Sequence, residues 1–169
     1  MRAWRGWMLG LTLLLTLAGG CMGYRLGTTL PPGIHSIYIP SFVNRTGEPE
    51  LEVATTRAAI QEFQKDGTLR LGSQGGTDAY LKVTLQEFRL EPLRYSGDQA
   101  KTTSEYRLVI IAKVNFHRST TDERLSSRRV RGESTFEPGA ELSLAKLNAL
   151  PEAAEDLAHH IVKSVVEYW

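Results

Sequence analysis

EYRLVIIAKVNFH, from Glu105 to His117, is the stretch that decides the fold. Tyr106, Leu108, Ile110, Ala112, Val114 and Phe116 share one parity, while Arg107, Lys113, Asn115 and His117 take the other. That period of two places alternate side chains on opposite faces of a strand, one face buried and one wet. Val109 and Ile111 sit among the polar residues, so the wet face is amphiphilic. Upstream, Asp78 to Leu90 is a second long β segment. Ala79, Leu81, Val83 and Leu85 alternate, then Phe88 and Leu90 take the opposite parity, and this phase shift predicts a bulge near Gln86-Glu87. Glu91 to Ser104, containing Pro92 and Gly97, reads as a polar loop between the two. Downstream, TTDER (Thr120 to Arg124) turns the chain, and Leu125 to Phe136 is the returning strand. Connections this short predict antiparallel pairing of all three.

The flanking segments supply the second layer. Ile34 to Pro40 (IHSIYIP) reads as a first strand, ended by proline. A polar loop, FVNRTGE (Phe42 to Glu48), leads to a helix capped by Thr46 or Gly47, with Pro49 in its first turn. That helix should run to about Lys65 with Val53, Ala59, Ile60 and Phe63 on one face and Leu51, Ala54 and Ala58 nearby, a broad apolar surface, and stop at Asp66-Gly67. Leu69 to Gly72 is a short strand or the start of one, and SQGGT (Ser73 to Thr77) a flexible turn. Phe136 to Ala149 is irregular or partly helical. From Pro151, Ala154, Leu157, Ala158, Ile161 and Val165 form the stripe of a terminal helix. The expected fold class is α+β: a two-layer sandwich, with a mainly antiparallel sheet of about four to five strands and two helices on one face.

The beginning of the chain is of another kind. Arg2 and Arg5 precede a charge-free run from Trp7 to Ala18, and small residues then lead into Cys21, the single cysteine. The run is shorter than the roughly 20 apolar residues that span a bilayer, and its layout is that of a cleaved secretion signal. Leu17-Ala18-Gly19-Gly20-Cys21 reads as a lipobox, in which Cys21 is lipidated and becomes the first residue of the mature chain. A cleaved leader followed by an incidental cysteine is the bland alternative. The expected division is residues 1–20 as lipoprotein signal peptide, 21–33 as lipidated tether and 34–169 as one α+β domain. The membrane would then be reached through an N-terminal lipid. The absence of Asp after Cys21 favours an outer-membrane destination by analogy.

Without residues 1–20 the chain would carry 18 Lys and Arg against 19 Asp and Glu. Such a balance argues against nucleic acid as a partner. A domain of this size buries about 68–70% of its unfolded surface and needs neither metal nor disulfide to fold. No nucleophile–base set stands out, and no cofactor motif. Gly72 to Gly76 lacks the lysine and spacing of a phosphate loop. His159 and His160 are adjacent on a helix, about 100° apart, and cannot both face one metal. Asn44-Arg45-Thr46 matches a glycosylation acceptor but carries no weight in a bacterial lipoprotein. Basic residues are the more informative set. Arg124, Arg128, Arg129 and Arg131 mark one strand, and Arg89, Arg94, Lys101 and Arg107 surround the preceding loop. Alternation separates Arg129 and Arg131 from Arg124 and Arg128. They read either as a solvated sheet face or as a site for a phosphorylated or acidic ligand, since arginine offers phosphate a planar fork.

Read together, the motifs resemble a known family. Gly23-Tyr24-Arg25-Leu26 follows the cysteine closely. Leu30-Pro31-Pro32-Gly33-Ile34, Ile37-Tyr38-Ile39-Pro40 and Phe42-Val43-Asn44-Arg45-Thr46 come next. Asp78-Ala79-Tyr80-Leu81 and Glu105-Tyr106-Arg107-Leu108 open strands, and a helix with Ala154, Leu157, Ala158, Ile161 and Val162 closes the chain. In this order they resemble the LptE family of lipopolysaccharide-assembly lipoproteins. The resemblance implies a non-enzymatic plug subunit of an LptD-like outer-membrane β-barrel, aiding barrel assembly and lipopolysaccharide transport to the outer leaflet. It would be anchored by lipid and face the periplasm and the barrel lumen. The family's lipopolysaccharide contacts carry over to Arg94, before the Glu-Tyr strand, and to Lys146 in the Ala145-Lys146 step. Arg107, Arg129 and Arg131 join them as candidates. IYIPSFVNRT (Ile37 to Thr46) is also similar to the first strand and loop of peptidoglycan-synthase regulators and secretion-pore components of the LpoB and CsgG types. For a regulator of that kind the tether is short, at most about 40 Å for Met22 to Gly33 fully extended.

Overall fold

The computed structural model describes residues 30–96 and 102–167; the leader, Cys21 and most of the tether lie outside the described residues. Its elements in chain order are β1 (Ser36–Tyr38), β2 (Val43–Asn44), α1 (Leu51–Asp66), β3 (Arg70–Leu71), β4 (Ala79–Ser96), β5 (Thr102–Arg118), β6 (Arg124–Phe136) and α2 (Leu142–Val166). The three long strands pair antiparallel, with Leu81 opposite Phe116 and Ile110 opposite Gly132. β1 and β2 join β4 in parallel, and β3 joins β1 in parallel, giving a mixed six-stranded sheet of order β3-β1-β4-β5-β6 with β2 also on β4. The class is α+β, and both helices contribute to a single core over one face of the sheet.

That core is built from the parities read above. Leu81, Val83 and Leu85 of β4 and Leu108, Ile110, Ala112, Val114 and Phe116 of β5 are buried against Leu157, Ile161 and Val165 of α2 and Leu51, Ala59 and Phe63 of α1. The register shifts between Leu85 and Glu87, so the bulge falls at Gln86 and returns Phe88 and Leu90 to the helix side.

Four boundaries differ from the expectation. Glu91 to Ser104 is mostly strand: β4 continues to Ser96 and β5 starts at Thr102, with Glu91 opposite Arg107 and Pro92 opposite Tyr106. Among the described residues only the part of β4 up to Leu85 has neighbours on its other side, so Pro92 occupies an open edge, where a missing N–H costs no ladder bond. α1 begins at Leu51, after Glu50 in a left-handed conformation (φ 57°). Thr46 is consumed earlier: its N–H and hydroxyl both donate to Asn44 Oδ1, at 2.9 and 2.8 Å. The apolar face of α1 is Leu51, Thr55, Ala58, Ala59 and Phe63; Val53 is half exposed because α2 covers the other side. Finally, α2 starts nine residues before Pro151, which lies inside it. The carbonyl that loses its partner belongs to Leu147, 57% exposed, where solvent can take over the bond.

A polar clasp joins the starts of β1 and β4. Asp78 Oδ2 accepts from the His35 N–H (3.0 Å) and the Ser36 hydroxyl (2.7 Å), and the Asp78 N–H donates to Ser36 Oγ (3.0 Å). The Ser36 hydroxyl above all, then the His35 N–H, holds the Asp78 carboxyl below its ordinary pKa. A depressed carboxylate stabilises the fold above its unfolded pKa, and that contribution fades as pH falls through the folded value. Wild type should therefore withstand denaturant better than Asp78→Asn at neutral pH, with the gap closing below about pH 4. A gap independent of pH would show that the charge contributes nothing.

Candidate functional site: the charged outer face

The face of the sheet turned away from the helices carries the odd-numbered residues of β5 from Glu105 and of β6 from Ser127. Ladder positions put Glu87 opposite Ile111, Arg89 opposite Val109 and Glu91 opposite Arg107, and on the far side Arg131 opposite Ile111 and Glu133 opposite Val109. The long side chains reach across β5. Arg129 bonds Glu87, and Arg131 lies 3.8 Å from Glu91 and 2.7 Å from Glu133. Arg107 Nε lies 3.8 Å from Glu133, and Arg89 lies 3.6 Å from Glu87 and 3.5 Å from Glu91. Four arginines thus interleave with three glutamates across β5. Val109 is fully buried on this nominally wet face.

Three of the five sequence-derived candidates, Arg107, Arg129 and Arg131, meet in this ladder. Arg94 extends the same face toward the end of the β4–β5 hairpin, where it lies 3.7 Å from Glu105 with its side chain 77% exposed. Lys146 stands apart on α2. Its ammonium is 2.7 Å from Glu48, whose side chain is only 13% exposed, and 5.7 Å from the centre of the Phe88 ring. Lys146 therefore also ties α2 to the loop before α1. Arg128 faces the helix side, opposite Val114, as alternation requires. Arg124 does not follow the same count. An irregularity between Phe116 and His117 shifts the register, turns Leu125 toward the core and sets Arg124 opposite His117 on the outer face.

One polar cluster was not legible beforehand. The Tyr80 hydroxyl donates to Asp122, and the Tyr80 and His117 rings stack with centroids 5.0 Å apart. His117 Nδ1 is 3.4 Å from the Asp122 carboxylate. The Tyr80 bond, then the adjacent imidazole, lowers the Asp122 pKa, while the same bond raises that of Tyr80. Asp122 has φ 55°, so the cluster locks the β5–β6 turn. Tyr80 is 42 residues from Asp122, and only the pairing of β4 with β5 brings them together. His159 and His160 point apart, to Glu62 and to the Asp156 carbonyl. Among the described residues no group of three His, Cys, Asp or Glu side chains could hold a metal ion, and no helix is long and apolar enough to cross a membrane.

An open mixed sheet layered on one face by two helices defines a small α+β domain class, and among the described residues its charged outer face carries no second layer. Solved structures share the fold. A Chlamydia trachomatis protein matches with TM-score 0.57 at 10% identity, covering 80% of this chain and 97% of its own. A Xanthomonas campestris protein gives 0.56 at 12%, covering 84% and 91%. Lipoprotein B from Nitrosomonas europaea gives 0.51 at 15%, covering 86% and 91%. Residues 34–165 match the sequence profile of the LptE family, described as lipopolysaccharide-assembly, and the chain belongs to that family. No curated protein matches its sequence significantly.

Proposed function

We propose that this chain is a non-enzymatic outer-membrane lipoprotein, anchored through lipid on Cys21, that acts as the plug subunit of an LptD-like β-barrel. In that role it aids barrel assembly and hands lipopolysaccharide toward the outer leaflet. The observation that carries the reading is the family match over nearly the whole folded domain. The lipobox at Leu17 to Cys21 supports the anchor. A mild-detergent purification of the tagged protein from native membranes tests it. A large outer-membrane β-barrel at near-equal stoichiometry supports the plug. A peptidoglycan synthase or a ring-forming secretion pore overturns it.

Arg94, Lys146, Arg107, Arg129 and Arg131 are proposed as the lipopolysaccharide contacts. Each stands beside a carboxylate, so an incoming phosphate must compete with Glu105, Glu48, Glu133, Glu87 or Glu91. Arg94 is best placed to switch, because an exposed ion pair at 3.7 Å is weak. Arg94→Glu should weaken lipopolysaccharide binding about tenfold or more, the worth of one charge-assisted contact, with at most a small drop in the unfolding midpoint from facing Glu105 across the hairpin. Lys146→Gln should weaken binding and also lower the midpoint, because Glu48 loses its partner. Binding unaltered in both variants would remove them from the site.

A further inference from the structure

β6 ends the sheet, and its outer edge pairs with no strand among the described residues. Backbone groups alternate along a strand, and the Glu133 N–H points outward, donating to Asp156 Oδ2 at 2.9 Å. By the same alternation the N–H groups of Ser127, Arg129 and Arg131 face the edge, while those of Arg128 and Val130 serve the ladder with β5. Between this edge and the C-terminal half of α2 runs an open groove of about 840 Å³. Five cationic side chains line it against three carboxylates, with Arg128 and Lys163 on the helix side and Arg129 and Arg131 on the other.

We infer that the β6 edge is a docking strand for an extended, acidic segment of a partner protein, which adds to the sheet beside Ser127–Arg131. Three observations choose that occupant. The unpaired main-chain groups are what strand addition uses for affinity. Glu87 and Glu91 pair with Arg129 and Arg131 on the outer face, but the groove's own lining holds more cations than carboxylates, with Arg128 and Lys163 on its helix side, and this complements an acidic segment. A second copy is disfavoured: antiparallel self-pairing about Arg129 or Val130 would bring arginines of the two chains together, and facing like charges oppose pairing. Asp156 shows the chemistry within the chain, a carboxylate satisfying an edge N–H, and marks where the open edge stops. This inference does not depend on lipopolysaccharide binding.

Amide hydrogen exchange on the whole folded protein tests it, with a synthetic seven-residue peptide of alternating valine and glutamate as probe. Without peptide, the amides of Ser127, Arg129 and Arg131 should exchange at least tenfold faster than those of Arg128 and Val130. With saturating acidic peptide those three should slow at least tenfold. A lysine-for-glutamate peptide and inorganic phosphate should leave them fast. Arg129→Pro, which removes one edge N–H, should weaken the acidic peptide more than Arg129→Ala, which removes only the charge. Equal weakening by the two, equal protection by the lysine peptide, perturbation by phosphate without protection by the acidic peptide, or edge amides already slow in a self-associated protein would each overturn the inference. If Arg129→Pro fails to fold, Arg128→Glu with Lys163→Glu serves instead: at least tenfold weaker binding supports the proposal and unchanged binding overturns it.

Discussion

Gly132→Ala is expected to destabilise the domain by about 3 kcal/mol or more, the upper end of what overpacking costs. β6 touches α2 here with no side chain between them. A Cβ on Gly132 would lie 2.5 Å from Leu157 N, 2.5 Å from Leu157 Cβ and 2.6 Å from the Ala153 carbonyl oxygen. Two of those atoms are helix backbone, so no rotamer change relieves the overlap. The helix must lift from the sheet, exposing Leu157 and Ile161, which are fully buried. Shortening Leu157 to Ala in the same chain should therefore not rescue the variant. Gly72 supplies a milder case: its Cβ would meet the Thr77 methyl, also at 2.5 Å, which is side chain and not helix backbone, although turning it away costs the Thr77 hydroxyl its bond to the Ala79 carbonyl. Denaturant midpoints followed by circular dichroism would show a larger loss for Gly132→Ala than for Gly72→Ala. Equal midpoints would refute the close approach.

Phe63→Ala should cost about 3–5 kcal/mol, the usual loss for emptying a buried aromatic site. Phe63 is fully buried on α1, on the stripe that meets α2 and the short strands. The loss loosens the crossover that carries β3 to its parallel place beside β1. Val53→Ala, on the half-exposed side of the same helix, should change stability by no more than about 0.5 kcal/mol. A similar loss at both positions would mean that α1 sits in another orientation.

Much of the architecture was legible because period-two alternation directly reports which face of a strand is buried. Glu105 to His117, Ala79 to Leu90 and the stripe from Ala154 to Val165 all face as their spacing says, and the parity change at Gln86 marked the bulge. Boundaries were less legible where a residue's local preference is overridden by its neighbours. Pro92 and Pro151 look like breakers, yet one lies on an open strand edge and the other beside an exposed carbonyl, where the lost bond costs little. Thr46 looks like a cap but turns its hydroxyl to Asn44.

The candidate site divides in the same way. Sequence by itself determined that arginines crowd β6 and the end of the hairpin, that Arg128 opposes Arg129 and Arg131, and that the chain carries the LptE pattern. Only the tertiary structure decided what those charges meet. Arg129 finds Glu87 across an intervening strand, Lys146 finds Glu48 98 residues away, and Arg124 changes face through a slip of register. Side-chain periodicity is a local property of one strand, whereas ion pairing depends on which strands lie side by side and in what register. Those are set by packing the whole core at once.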